Sequence, residues 1–337
     1  MRKIEFGIKI SIVLLVPLIV ALIVFVQMRQ IFILPANVND KEVVLVKVKS
    51  GRDLKEVGSE LVEKGVLKWA GVLNVLKKFA VKDKTKVIME GEYAFSPSMT
   101  PKQILNKMLN GEVTLRKVSI KAGLSIWELG EIFEEAGICS KSDFEAALGD
   151  GALLKQYNLP VESFEGYFYP KTYEFSSLDS PQRIIGVMLA EAEKHWPKEN
   201  TESADRLELS RHEVLTLASI IQKEAKDPDD YGNLASALYN RSTYGMKFES
   251  DETVIYGLKD FDGNFTPEDR EEEHPYNTWI IPGFPPGPIC NPSDVAIDAV
   301  LTLPKTTNLF WIKNTNGKFE FVPDKKSLED LKRSRGE

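Results

Sequence analysis

The chain has 337 residues, 43% of them hydrophobic and 28% charged, enough apolar surface for ordinary folded cores and room for more than one domain. A formal net charge of −7 without any Lys/Arg stripe excludes a nucleic-acid surface. The histidines, His195, His212 and His274, lack ligand spacing and no Gly-rich phosphate cradle follows a strand, so metal, triad and nucleotide-cofactor chemistry are excluded and no cofactor is expected.

Residues 10–26 are apolar except for Ser11, and with Lys9 snorkelling the run reaches the roughly 20 residues that span a bilayer. No small-residue cleavage site ends it, since Gln27-Met28-Arg29-Gln30-Ile31 follows, and no Cys lies nearby. Arg2, Lys3 and Lys9 outnumber Arg29 as flanking charge, which keeps the amino terminus in the cytoplasm. The reading is a cytoplasmic tail (1–9), one transmembrane helix (10–34) and a linker (35–43). The bulk of the chain then lies on the extracytoplasmic side of the cell membrane.

An internal repeat follows: Val46-Lys47-Val48-Lys49-Ser50-Gly51 aligns with Val118-Ser119-Ile120-Lys121-Ala122-Gly123, and Glu56, Gly58, Glu63 and Gly65 then fall on Glu128, Gly130, Glu135 and Gly137. Each copy reads as a strand, a Gly turn and a helix, with Leu54, Val57, Leu61 and Ile126, Leu129, Phe133 at helical spacing. Further elements are a helix over 70–79, an extended segment over 91–95 and a helix over 101–109. Such modules resemble LysM-type carbohydrate-binding units, giving a LysM-like domain over 44–158. A small α+β spacer that binds nothing fits the same pattern.

From residue 159 the composition turns aromatic and rich in Pro-Gly turns, and 159–337 reads as a second, α+β domain. Its predicted helices span 181–195, 212–226 and 233–244, its strands 310–313 and 319–322. Ile281-Pro282-Gly283-Phe284-Pro285-Pro286-Gly287-Pro288 must be a rigid loop, because its prolines lack donors and fix the backbone. Cys139 and Cys290 lie far apart and define neither a disulfide framework nor a ligand set; buried thiols or a bridge both fit.

Carboxylate chemistry remains. On the 212–226 helix, Val214, Leu217, Ile221 and Glu224 share one stripe, so Glu224 sits on the apolar side, opposite His212, Thr216, Ser219, Lys223 and Lys226. A desolvated carboxyl is held protonated toward neutral pH and suits a general acid. Alternatively, Glu224 frays at the helix end or pairs with Arg241. The segment Glu165-Gly166-Tyr167-Phe168-Tyr169-Pro170, the segment 246–257 with Asp251 and Tyr256, and Tyr276-Asn277-Thr278 place aromatic rings beside carboxylates and amides, as a sugar groove needs. Core packing explains most of these rings singly.

Leu217-Ala218-Ser219-Ile220-Ile221-Gln222-Lys223-Glu224, Leu234-Ala235-Ser236-Ala237-Leu238-Tyr239-Asn240-Arg241, Asp251-Glu252-Thr253-Val254-Ile255-Tyr256-Gly257, Tyr276-Asn277-Thr278 with Gly283-Phe284-Pro285-Pro286-Gly287-Pro288-Ile289, and the earlier Glu165 motif together resemble, in order, the signatures of the YceG-like family of endolytic murein transglycosylases. The resemblance covers nearly the whole chain. It implies cleavage of the MurNAc–GlcNAc β-1,4 bond within peptidoglycan strands to leave a 1,6-anhydroMurNAc end, with a role in cell wall assembly and remodelling. Glu224 is then the catalytic acid/base, and Glu165, Asp251, Asn277, Tyr256 and Arg241 are the residues that orient it or the substrate. Gln222 stands where many relatives carry a second Glu, and Glu252 replaces a common Pro. Peptidoglycan strands and the membrane are the expected partners, with peptidoglycan synthases or division proteins beyond them. A hydrolase using Glu165 or Asp251 as second carboxylate, and a non-catalytic wall-binding scaffold, are the competing readings.

Overall fold

A computed structural model describes residues 2–83, 85–157, 159, 163–258, 261–314 and 318–335, with side chains described from residue 17 onward. The fold is mixed α+β, as the sequence predicts: helices dominate and the strands form three two-stranded sheets among the described residues. The chain divides into two compact units, Met1–Arg116 with Phe175–Leu178, and Lys117–Glu174 with Asp179–Glu337.

Unit one opens with α1 (Arg2–Phe32), a helix that contains Pro17 and whose apolar side chains from Leu18 (68% exposed) to Phe25 (65%) face outward. Its last residues, Ile31 and Phe32, pack against the core of the unit, where Phe32 meets the Trp69 ring edge-on at 5.7 Å. Residues 10–16 of the predicted span lie outside the described side chains, and among the described residues no helix is long and apolar enough to cross a membrane.

Then come β1 (Val44–Val48), α2 (Leu54–Glu63), α3 (Val72–Phe79), β2 (Gly91–Phe95) and α4 (Pro101–Asn110). β1 pairs antiparallel with β2, with Val46 opposite Tyr93, and the alternation turns Val46 and Val48 into the core. Asp53 caps α2 by accepting the Lys55 N–H, and α4 starts with a Thr100/Gln103 capping box followed by Pro101. Leu54, Val57, Leu61, Val72, Leu73, Ile104, Leu105 and Met108 close over the sheet. Each such side chain contributes about 1.5–3 kcal/mol by leaving water.

Unit two continues through β3 (Arg116–Ser119), α5 (Ile126–Glu135), α6 (Lys141–Leu148), α7 (Gly151–Gln156), β4 (Thr172–Phe175), α8 (Pro181–Lys194), α9 (Lys198–Arg206), α10 (Arg211–Glu224), α11 (Tyr231–Thr243), α12 (Asp251–Gly257) and α13 (Asp294–Leu301). The chain ends in the antiparallel pair β5 (Phe310–Lys313) and β6 (Phe319–Val322), then α14 (Lys325–Arg335).

The two repeat copies carry left-handed glycines at matching places, Gly51 and Gly123 in the turns and Gly65 and Gly137 at the helix ends. They nevertheless belong to different units. The division falls at Arg116, ahead of the boundary at 158/159 read from composition, which adjoins residues outside the described set. The second copy is taken into unit two by backbone bonds: Gly123 N–H donates to Asn291 O (2.9 Å), and Asn291 N–H donates to Leu124 O (2.9 Å).

α10 differs from its predicted pattern. Every residue from Val214 to Ile221 is buried, including Thr216 and Ser219 on the stripe expected to face water. Both hydroxyls are satisfied locally, Thr216 donating to His212 O (2.7 Å) and Ser219 to Thr216 O (2.8 Å). Ser219 Oγ also accepts the N–H of Ile289, beyond the Pro-rich loop, so a strongly apolar stripe was not needed to bury this face.

Candidate active site

Glu224 is the last residue of α10; Ala225 is already extended (φ −105°, ψ 128°) and ends the helix. The carboxyl therefore sits half-buried at the negative end of the helix dipole, which disfavours its ionised form. Its pKa is pushed up to about 7, chiefly by burial. The Ser250 hydrogen bond and the charge of Lys313 act against that rise, while the charges of Glu252 and Asp251 add to it.

Ser250 donates its hydroxyl to Glu224 Oε1 at 2.6 Å. Ser250 is fully buried and cannot drift: its N–H donates to Thr278 Oγ1 (3.0 Å), its carbonyl accepts the Thr253 hydroxyl (2.7 Å), and the two threonine hydroxyls share a bond of 2.7 Å. The preceding Glu249 has φ +54°, a left-handed conformation that non-glycine residues adopt at a cost. It is held there by its N–H on Thr278 O and its carboxylate on Arg241 Nη1 (2.9 Å).

Arg241 pairs with Glu249, not with Glu224. It is 3% exposed, donates to the carbonyls of Leu309 (2.6 Å), Lys247 (2.9 Å) and Phe248 (2.9 Å), and packs against the rings of Phe310 and Trp311. Asn277 is likewise fully buried, its amide donating to the carbonyls of Arg270 and Glu272 while its oxygen accepts the Trp279 N–H. Both are placed to fix the loops around Ser250, and neither reaches an open face.

Asp251 is engaged by a bidentate Arg270 (2.8 Å to each oxygen) and by the Trp279 indole N–H (2.8 Å), with Arg270 stacked 4.3 Å over the Trp279 ring. Glu252, the next residue, is half-buried and free of such a fork. Burial raises its pKa, against the pull of Lys223 and Lys313, and its charge bears on Glu224.

Glu165 lies at the other end of α12. It is 1% exposed, and its carboxylate accepts the Ile126 N–H at the start of α5 (3.1 and 3.2 Å to the two oxygens), the Gly166 N–H and the Tyr256 hydroxyl (3.0 Å). Burial outweighs these donors and pushes its pKa up to about 7. Gly166 is required beside it: φ is +79°, and a Cβ would stand 2.4 Å from Pro288 Cβ. The aromatic residues that follow are scaffold, with Tyr167 bonded to His212 (3.0 Å) and Tyr169 to Asp294 (2.6 Å).

α12 thus ties the sequence-predicted residues together, meeting Glu224 through Ser250 at its N-terminus and Glu165 through Tyr256 at its C-terminus. In the sequence Ser250 and Thr278 stand only as members of longer segments, and their contact across 28 positions carries no local signal. Gln222 holds Ser293, the N-cap of α13, by accepting from its N–H (3.1 Å) and Oγ (2.6 Å). Cys139 and Cys290 are free thiols. Among the described residues, no group of three or more His, Cys, Asp or Glu converges as metal ligands would.

Glu224 at the end of α10, with its partner Ser250 locked in place, and Glu165 beyond α12 are both raised toward neutrality by burial, a candidate carboxylate acid/base site on an α+β scaffold. The chain belongs to the YceG-like family, whose sequence model matches residues 46–333. It is 25% identical over 304 residues to a protein of Bacillus subtilis named endolytic murein transglycosylase, covering 86% of this chain and 83% of that protein. It is 26% identical over 324 residues to a Streptococcus pneumoniae protein of the same name, of whose length it spans 58%. A crystal structure of a putative yceG-like protein from Listeria monocytogenes superposes with a TM-score of 0.58 at 28% identity, covering 86% of this chain and 99% of that one.

Proposed function

We propose that the chain is a membrane-anchored lytic transglycosylase of peptidoglycan that cuts the MurNAc–GlcNAc β-1,4 bond within glycan strands, with Glu224 as acid and then base. The observation that carries this reading is the half-buried Glu224 carboxyl, pushed up to about 7 and held by Ser250. The family membership and the names of the relatives supply the substrate.

In the first step the Glu224 carboxylic acid protonates the bridging oxygen as the C1–O bond breaks, so GlcNAc leaves with a free 4-hydroxyl. Positive charge develops at C1, and the carboxylate of Glu252, which carries no Arg fork, lies in the field of the site to offset it. The muramoyl C6 hydroxyl then forms a bond to C1 and passes its proton to the Glu224 carboxylate, restoring the acid. No water enters, and the product is a 1,6-anhydroMurNAc end. Proton transfer of this kind contributes about 10²- to 10⁴-fold.

A hydrolase with the same substrate needs a second carboxylate as nucleophile or as base for water. Asp251 is neutralised by the Arg270 fork and Trp279, and Glu165 is buried under three donors, so neither supports that role. The outward-facing apolar side chains of α1, continuous with the apolar sequence 10–26, support a single-pass anchor with the bulk of the chain extracytoplasmic. Glycan binding by the LysM-like copy in unit one, and contact with peptidoglycan synthases or division proteins, extend the same reading.

The test is mass spectrometry of fragments released from purified peptidoglycan by the full chain. Anhydro-ended fragments support the proposal. Reducing ends one water heavier point to the hydrolase, and an intact glycan with retained binding points to the scaffold.

A further inference from the structure

α5 starts where Glu165 receives the Ile126 N–H, and the next residue, Trp127, projects outward with 54% of its surface exposed. The Ile126 N–H and the Tyr256 hydroxyl, which donates to Glu165 Oε2 (3.0 Å), meet on the same carboxylate, so Trp127 follows directly on a residue that shares Glu165 with Tyr256. The indole is thus placed beside the Glu165 cluster by its backbone while more than half of its surface stays accessible, apolar exposure that folding alone does not reward. Beside it, Tyr256 and Tyr276 are half-buried and meet at 4.8 Å between centroids, with 59° between their planes.

α12 links these rings to the acid, since Ser250 at its N-terminus is bonded to Glu224 and Tyr256 lies near its C-terminus. Tyr256 stands four residues after Glu252 on α12, hence on the same helical face, about one turn or 5–6 Å further along the axis. Glu252 stands two residues after Ser250, the α12 N-cap whose hydroxyl is bonded to Glu224. A ligand chain that crosses Glu224 and follows this face of α12 runs onto Tyr256, Tyr276 and Trp127 after about one helical turn, the length scale of a single sugar ring.

We infer that Trp127, Tyr256 and Tyr276 form a stacking subsite for one pyranose ring of a glycan strand, next along the strand from the ring cleaved at Glu224. The inference rests on the reading of Glu224 as a glycan-cleaving acid. A saccharide suits the site because exposed aromatic faces take the apolar C–H face of a sugar, and the Tyr256 hydroxyl is already bonded to Glu165.

Two measurements on the full chain test it. Trp127→Ala in otherwise wild-type enzyme should raise KM for peptide-free glycan strands about tenfold with little change in kcat, as loss of uniform binding does, and Trp127→Phe should recover most of it. In a cleavage-stopped Glu224→Gln background, the same strands should bind about tenfold more weakly when Trp127 is Ala, read by equilibrium titration. Unchanged KM and binding overturn the subsite. An equal loss in kcat and kcat/KM in both Trp127 variants also overturns it, because the ring then acts only through Tyr256 and Glu165. If wild-type enzyme releases no fragments, the reading of Glu224 has failed, and the binding titration still decides whether Trp127 holds a glycan.

Discussion

Ser250 Oγ lies 2.6 Å from Glu224 Oε1 and donates its proton there. The bond favours the ionised carboxyl, so it is strongest after Glu224 has given its proton to the leaving oxygen. Hydrogen bonds to charged groups contribute about 1.5–3 kcal/mol, so Ser250→Ala should slow kcat by about tenfold or more. It should also raise the Glu224 pKa further and move the alkaline limb of the pH–rate profile to higher pH. A profile that keeps its position would separate Ser250 from the acid.

Glu252 should act with the opposite sign. Its negative charge raises the Glu224 pKa, so Glu252→Gln should lower it and move the alkaline limb toward acid pH. Rates measured across pH for Glu252→Gln and Ser250→Ala should therefore diverge on either side of wild type. Parallel shifts would contradict the electrostatic account.

The support beneath Ser250 is testable through stability. Thr278→Val keeps the branched shape but leaves the buried Ser250 N–H without its acceptor, at a cost of about 1–3 kcal/mol in chemical denaturation. Activity should fall as well, because Ser250 loses its anchor.

Glu165 gives stability a pH dependence. Its folded pKa, about 7, lies above the unfolded value of about 4.3, so between these values the native state binds more protons than the unfolded chain. Its contribution is present below pH ~4 and is lost as pH rises through 7, by on the order of 3 kcal/mol. Glu165→Gln should flatten the fall in wild-type stability between pH 5 and 8, measured as unfolding free energy at each pH. Equal slopes in both proteins would show that burial does not set this carboxyl's titration.

Much of this architecture was readable along the chain. The sequence pattern placed β2, β5 and β6 residue for residue, and the helices that became α4, α8, α10 and α11 to within about two positions. Glu224 stood out because its own stripe is apolar. What failed to read were relationships made across sequence. Thr216 and Ser219 looked solvent-facing because their burial depends on bonds to their own helix and to Ile289, 70 positions beyond Ser219. Arg241 and Asn277 read as groups that orient Glu224 or the substrate, and the backbone carbonyls that loops bring to them carry no local signal. The bonds that Asn291 and Glu165 make to the second repeat copy are likewise unmarked by any composition change.

The central claim is that Glu224 moves the protons of strand cleavage. Glu224→Gln preserves shape and can still accept the Ser250 hydroxyl, but it has no carboxylic proton to give. Release of anhydro-ended fragments from peptidoglycan by the purified full chain should fall by about 10²-fold or more in this variant, with the fold intact by thermal unfolding. Release at the wild-type rate would contradict the account.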